Sequence, residues 1–172
     1  FTRDNYPRRP AKIVVVRPAK VVDALQTQRN GRPGLEKHLL MPLPDEKVRA
    51  LSLEHHLALA TVHAGHGNLD HVSCLVRVIY LAFYLQEATS IGVELDAYRR
   101  AELALSACVA RVDRGEHCLL LDQELATVKR ILIAHDEQLA TITWQAYFDA
   151  WERLRHYIAA GKCSPIAAAL GH

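Results

Sequence analysis

Five of the ten histidines, His55, His56, His63, His66 and His71, fall within 17 residues. Neutral imidazole is a good ligand for zinc, nickel or iron, so a hairpin carrying several of them could gather a metal site. On a helix His56 and His63 stand seven apart and share a face, and His63 and His66 stand three apart. His71 and Cys74 repeat the three-residue step on the following helix. The best ligand set is therefore His63, His66 and His71, which would make the chain a metal-dependent helical enzyme. His66 sits between two glycines, however, and no H-E-x-x-H or Glu-x-x-His spacing accompanies the cluster. The plainer reading is a polar turn beside a helix face of solvated imidazoles, with no cofactor.

A second place where acid–base chemistry could arise is His135-Asp136-Glu137. Consecutive helical residues face different ways, so His135 is expected to pack or cap while Asp136 and Glu137 stay in water. The sequence has no G-x-S-x-G, no P-loop and no G-x-G-x-x-G following a strand. No catalytic residue is assigned. The aromatic concentration is Trp144, Tyr147, Phe148 and Trp151. Bases stack on such rings in nucleic-acid binders, but no basic residue interleaves before Arg153. Trp144, Phe148 and Trp151 read instead as core or as a helix–helix contact, including self-association of an assembly subunit.

Charge supplies the clearest functional signal. Residues 1–44 hold nine Lys or Arg against three acidic residues, a net of +6, and six of the seven prolines. The remainder holds twelve basic and sixteen acidic residues, a net of −4, and the near-neutral total of +2 conceals this division. A basic, proline-rich arm can bind a phosphate backbone by counterion release without a fold of its own. Arg8, Arg9, Lys12 and Arg17 are the leading contacts. The alternative is a solvated tail or linker.

These groups must be positioned by helices. From Asp45 onward apolar residues recur at helical spacing. The first helix opens with Asp45 and Glu46, carries Val48, Leu51 or Ser52, His55, Leu59 and Val62, and ends at Gly65-His66-Gly67-Asn68. The second starts near Leu69 or Asp70 and is apolar nearly all round, the mark of a central helix. Its run Val78–Leu85 is too short for a membrane span, which needs about 20 apolar residues. A third helix covers about Glu94 to Arg114. A fourth is expected to start on an Asp122 cap, and Thr141 or Thr143 interrupts or recaps the chain before a fifth. The fifth carries Trp144, Phe148, Trp151, Leu154 and Ile158, and ends at Gly161. Six prolines prevent residues 1–44 from forming one long helix. The expected fold is all-α: a four- to five-helix bundle over residues 45–172, preceded by a mostly extended basic arm, 1–44.

The four cysteines form no C-x-x-C pair, and three sit in apolar, helix-rich surroundings, where free cysteine acts as a small core residue. Residues 11–22 are too short an apolar stretch for a secretory signal. Both point to a reducing, cytoplasmic setting without membrane partners. At the other end, Ser164 to His172 reads as the first helix and turn of a helix-turn-helix without its groove-reading partner.

The basic leader, the LSLEHHLALATVHAGHGN helix, the apolar second helix and the later LATVKRILIAHDEQLATIT segment together give a pattern. Over about residues 46–158 it resembles small uncharacterised helical proteins of proteobacterial phages and mobile elements, some labelled Fis-family transcriptional regulators. The resemblance implies DNA-linked regulation and carries over no site residue. The function expected is non-enzymatic binding, with nucleic acid or a nucleic-acid-associated protein as partner and a homo-oligomer as a further option.

Overall fold

A computed structural model describes residues 39–161 and 164–168. Five long helices make up the body: α1 (Asp45–His63), α2 (Leu69–Thr89), α3 (Leu95–Asp113), α4 (Asp122–Thr141) and α5 (Trp144–Ala159). A single turn, α6 (Pro165–Ala168), follows, and among the described residues there are no strands. The all-α bundle expected from the periodicity is what forms.

The first four helices close into a ring in which α1 packs on α2, α2 on α3, α3 on α4 and α4 on α1. In addition α2 and α4 meet across the middle, and α5 lies chiefly on α2. So α2 is touched by all four other long helices, which is why nearly its whole circumference is apolar. Val72, Leu75, Val76, Val78, Ile79, Leu81, Ala82 and Leu85 are all buried. It is also the one described helix long and apolar enough to cross a membrane, and two thirds of that stretch is buried by its neighbours.

Local chemistry sets the joints. The α1–α2 turn needs Gly65, at φ +76°, and Gly67, where a Cβ would stand 2.8 Å from Val62 Cγ2 and 3.1 Å from the Cys118 carbonyl oxygen. Asn68 then caps α2 by accepting the His71 amide at 3.0 Å, and His71 Nδ1 accepts the Asn68 amide in return at 3.2 Å. Replacing Asn68 with Ala is expected to cost about 1 kcal/mol. It should appear as a lower denaturant midpoint at unchanged slope; an unmoved midpoint would show the reciprocal pair to be energetically idle.

The start of α4 departs from the expected Asp122 cap. The helix begins at Asp122 itself, and the Leu121 amide is satisfied by Glu124 at 2.8 Å. Glu124 is fixed in turn by Arg111 of α3 at 2.6 Å, whose other Nη donates to the Leu119 carbonyl. A carboxylate held by both partners does more here than a short Asp side chain could. Thr143 does recap the chain, accepting the Ala146 amide at 3.3 Å.

Residues 41–43 pair with this α4–α5 elbow. Leu43 N–H donates to Ile142 O at 3.1 Å and Trp144 N–H to Met41 O at 3.0 Å. The chain leading into α1 is thus stitched to the point where α4 gives way to α5. At the far end Ile166 is fully buried. Ser164 Oγ donates to Glu102 at 2.9 Å, and Tyr80 of α2 donates to the same carboxyl. The described part of the segment read as the start of a helix-turn-helix, residues 164–168, is therefore anchored on the bundle through Ser164 and Ile166.

Candidate functional site

The histidines of the cluster go to different places. His63 Nδ1 lies 3.4 Å from the Leu120 carbonyl, in the lead-in to α4. His66 is exposed on the turn, and His71 is engaged in the α2 cap. Among the described residues no three His, Cys, Asp or Glu side chains converge to hold a metal ion. His63, His66 and His71 are near in sequence because they flank one turn, yet the rings of His63 and His71 serve separate local bonds and His66 lies exposed.

What the structure does assemble from histidines lies on the α1–α4 face. His55 and His135 are both buried, with ring centroids 5.5 Å apart and planes tilted by 39°. His135 Nδ1 stands 3.1 Å from Gln138 Oε1. The Gln138 amide nitrogen donates to Ala82 O of α2 at 2.9 Å and to Ile91 O of the α2–α3 turn at 2.7 Å. Because those two bonds use up the amide donors, Oε1 must accept, and His135 must carry its proton on Nδ1. His135 Nε2 and His55 Nδ1 are then buried with no hydrogen-bond partner among the described residues. Burial pushes His135 down to about 4, against the pull of Gln138 and Asp136. It pushes His55 down to about 3, helped by the positive potential of His135, Arg77 and His56. Both rings are neutral at pH 7.

Beside them, His56 Nε2 meets Asp136 Oδ2 at 2.7 Å on the half-exposed rim. This corrects the reading of Asp136 as a wet residue: α1 packs over it, and its second oxygen is buried. Glu137 is exposed, as expected.

A second feature is an open groove of about 460 Å³ between α1 and α2, bordered by Glu54, Leu57, Asp70, His71, Cys74 and Arg77. Arg77 is largely covered. Its guanidinium lies 3.9 Å from Glu54 and stacks over the Trp151 ring at 5.9 Å from the centroid. Glu54 also lies 3.9 Å from Cys74 Sγ. Burial pushes the Cys74 thiol up, so it stays protonated and is a poor nucleophile. Burial likewise pushes Tyr147 up to about 12. The groove offers carboxylate acceptors and a paired guanidinium over an apolar floor, a setting for binding polar groups rather than for attack on them.

Trp144, Tyr147 and Trp151 are half-buried and pack against the core, as the helical spacing suggested, with Ala150 and Leu154 fully inside. Phe148 is half-buried on the same helix. Arg153 fastens α5 further, bonding Glu87 at 2.9 Å and lying 4.5 Å from the Tyr84 ring centroid. Arg8, Arg9, Lys12 and Arg17 lie outside the described residues. Gln138 was not singled out by sequence reasoning. A Gln one helical turn after a histidine is the only signal it leaves, and that pattern is common on exposed faces.

Comparison with protein-family models, with curated proteins and with solved structures finds no match.

Proposed function

We propose that this chain is a non-enzymatic binding protein that contacts nucleic acid, or a complex containing it, through its basic N-terminal segment. The observation that carries this reading is the charge division, +6 over residues 1–44 against −4 over the rest. A polyanion is attracted to the first part and repelled by the second, so contact is directed to one end of the chain. The stitch between residues 41–43 and the α4–α5 elbow supports it by giving that segment a fixed point of departure from the body. The resemblance to phage and mobile-element proteins labelled as regulators supports the same direction. A cytoplasmic setting accords with the free, buried Cys74, Cys108 and Cys118.

The test is binding to mixed-sequence DNA and RNA across a salt series. It compares the full chain, a chain lacking residues 1–38, and a variant with Arg8, Arg9, Lys12 and Arg17 all changed to Ala. The truncation leaves the 41–43 stitch in place. Each phosphate contact contributes roughly 0.9 to the slope of log K against log salt, so the fourfold variant should lose about 3 to 4 from that slope. Equal binding and equal slope in all three would refute the reading.

A further inference from the structure

We propose that Cys108 and Cys118 form an intramolecular thiol pair that hydroperoxides convert to a disulfide, making the α3–α4 connection a site of reversible oxidation.

The two sulfurs lie 3.3 Å apart, closer than ordinary sulfur contact, although ten residues and a helix end separate them. Cys108 projects from the last two turns of α3. Cys118 sits in the eight-residue connection that folds back beneath it. The fold-back is fixed from three sides. Arg111 ties Leu119 O and Glu124 to α3. The α1–α2 turn closes over Cys118, whose Sγ lies 3.8 Å from Asn68 O and whose carbonyl oxygen would be only 3.1 Å from a Cβ on Gly67. His63 reaches the Leu120 carbonyl. The sulfurs therefore face each other because the connection is held, and a small further approach brings them to bonding distance.

The order of events follows from position. Cys108 is wholly buried on a helix, and burial with the neighbouring thiol pushes it up to about 12. Cys118 retains slight exposure and follows four exposed residues, 114–117, so it meets the oxidant first. Its thiolate attacks one peroxide oxygen; the O–O bond breaks, and the departing hydroxide takes a proton to become water. Cys118 is left as a sulfenic acid. Cys108 then loses its proton and attacks Cys118 Sγ; the S–O bond breaks and the second hydroxide leaves, protonated, as water. Two thiols and one hydrogen peroxide give one disulfide and two waters; an alkyl hydroperoxide releases its alcohol in place of the first water.

The experiment uses the full chain, reduced and freed of reductant, and treated with stoichiometric hydrogen peroxide. Intact mass should fall by about 2 Da. Trypsin cuts after Arg100, Arg111, Arg114 and Lys129, so peptide 101–111, with Cys108, should appear joined to peptide 115–129, with Cys118. A reductant should separate them. Closing so short a loop should also raise Tm by roughly 5–10 °C in the oxidised form. The Cys118→Ser variant should lose the cross-link and the rise, while a Cys74→Ser, Cys163→Ser double variant should keep both. The proposal is overturned if Cys108 and Cys118 both remain open to alkylation after folding is relaxed in denaturant. It is equally overturned if they oxidise separately to sulfinic acids, or if either links to Cys74 or Cys163. The peptide map of the unsubstituted chain decides this even where a variant fails to fold.

Discussion

Lowering the pH from 7 towards 4 is expected to unfold the bundle cooperatively, with His55 and His135 as the main drivers. Both rings are neutral in the folded chain because burial disfavours their charged forms, down to about 3 for His55 and about 4 for His135. In the unfolded chain each returns to an ordinary histidine value near 6.5. Their folded values are therefore depressed. The stabilisation of keeping them neutral is complete above pH about 6.5 and is lost as pH falls from there towards 4. Within that window each group contributes a slope of about 1.4 kcal/mol per pH unit, so at pH 5 the pair has removed on the order of 3–4 kcal/mol. That is a large part of the roughly 5–15 kcal/mol that a domain usually has. Urea titrations at half-unit intervals between pH 7.5 and 4.5 would measure the slope directly. His55→Leu should halve it. His135→Leu should also reduce it while lowering stability at every pH, because Gln138 Oε1 loses its donor. Stability that stays flat from pH 7 to 5 would mean that both rings can charge inside the fold.

Gln138→Leu is expected to be the most damaging single substitution that adds no bulk. One side chain satisfies the Ala82 carbonyl, the Ile91 carbonyl and the His135 ring, tying α4 to α2 and to the α2–α3 turn. Leucine fills similar space but leaves those groups without their partner. Each carbonyl keeps one long bond, Ala82 O from the Tyr98 hydroxyl and Ile91 O from the Thr89 hydroxyl, both at 3.3 Å, while His135 Nδ1–H keeps none. At about 1–3 kcal/mol for the buried donor left unmatched, plus about 1 kcal/mol for the two shorter bonds lost, the loss should be roughly 2–4 kcal/mol. Gln138→Glu should be worse still, since a carboxyl would face two carbonyl oxygens with no amide to offer them. Equilibrium unfolding at pH 7.5 checks both variants; a loss under about 1 kcal/mol for Gln138→Leu would show that the surrounding groups find other partners.

Much of this architecture can be read in the residues themselves. The helical periodicity from Asp45 onward marks all five long helices, and the continuous apolarity of α2 marks its central place. The same periodicity puts His55 in the core-facing row of α1 and makes His135 a packing residue. What the pattern misses depends on where helices meet. Asp136 looks solvated until α1 is laid over it and brings His56 within 2.7 Å. Gln138 looks like a surface residue, since a polar side chain gives no sign of which carbonyls it will find. Cys108 and Cys118 stand ten apart across a helix end, a spacing that pairs them only when the connection doubles back. The histidine cluster misleads in the opposite sense. Nearness in sequence suggests a shared ligand, but the cap at Asn68 and the carbonyl of Leu120 claim the rings one at a time.

The enclosure of α2 by every other long helix has a consequence for how the protein is made. While it is being synthesised, α2 emerges with only α1 to cover it, and by length and composition it resembles a segment that belongs in a lipid bilayer. Its remaining cover comes later, ending with α4 and α5. At roughly 5–20 residues per second, the interval from Thr89 to Thr141 lasts several seconds. For that time the nascent chain exposes an apolar helix that the finished protein conceals.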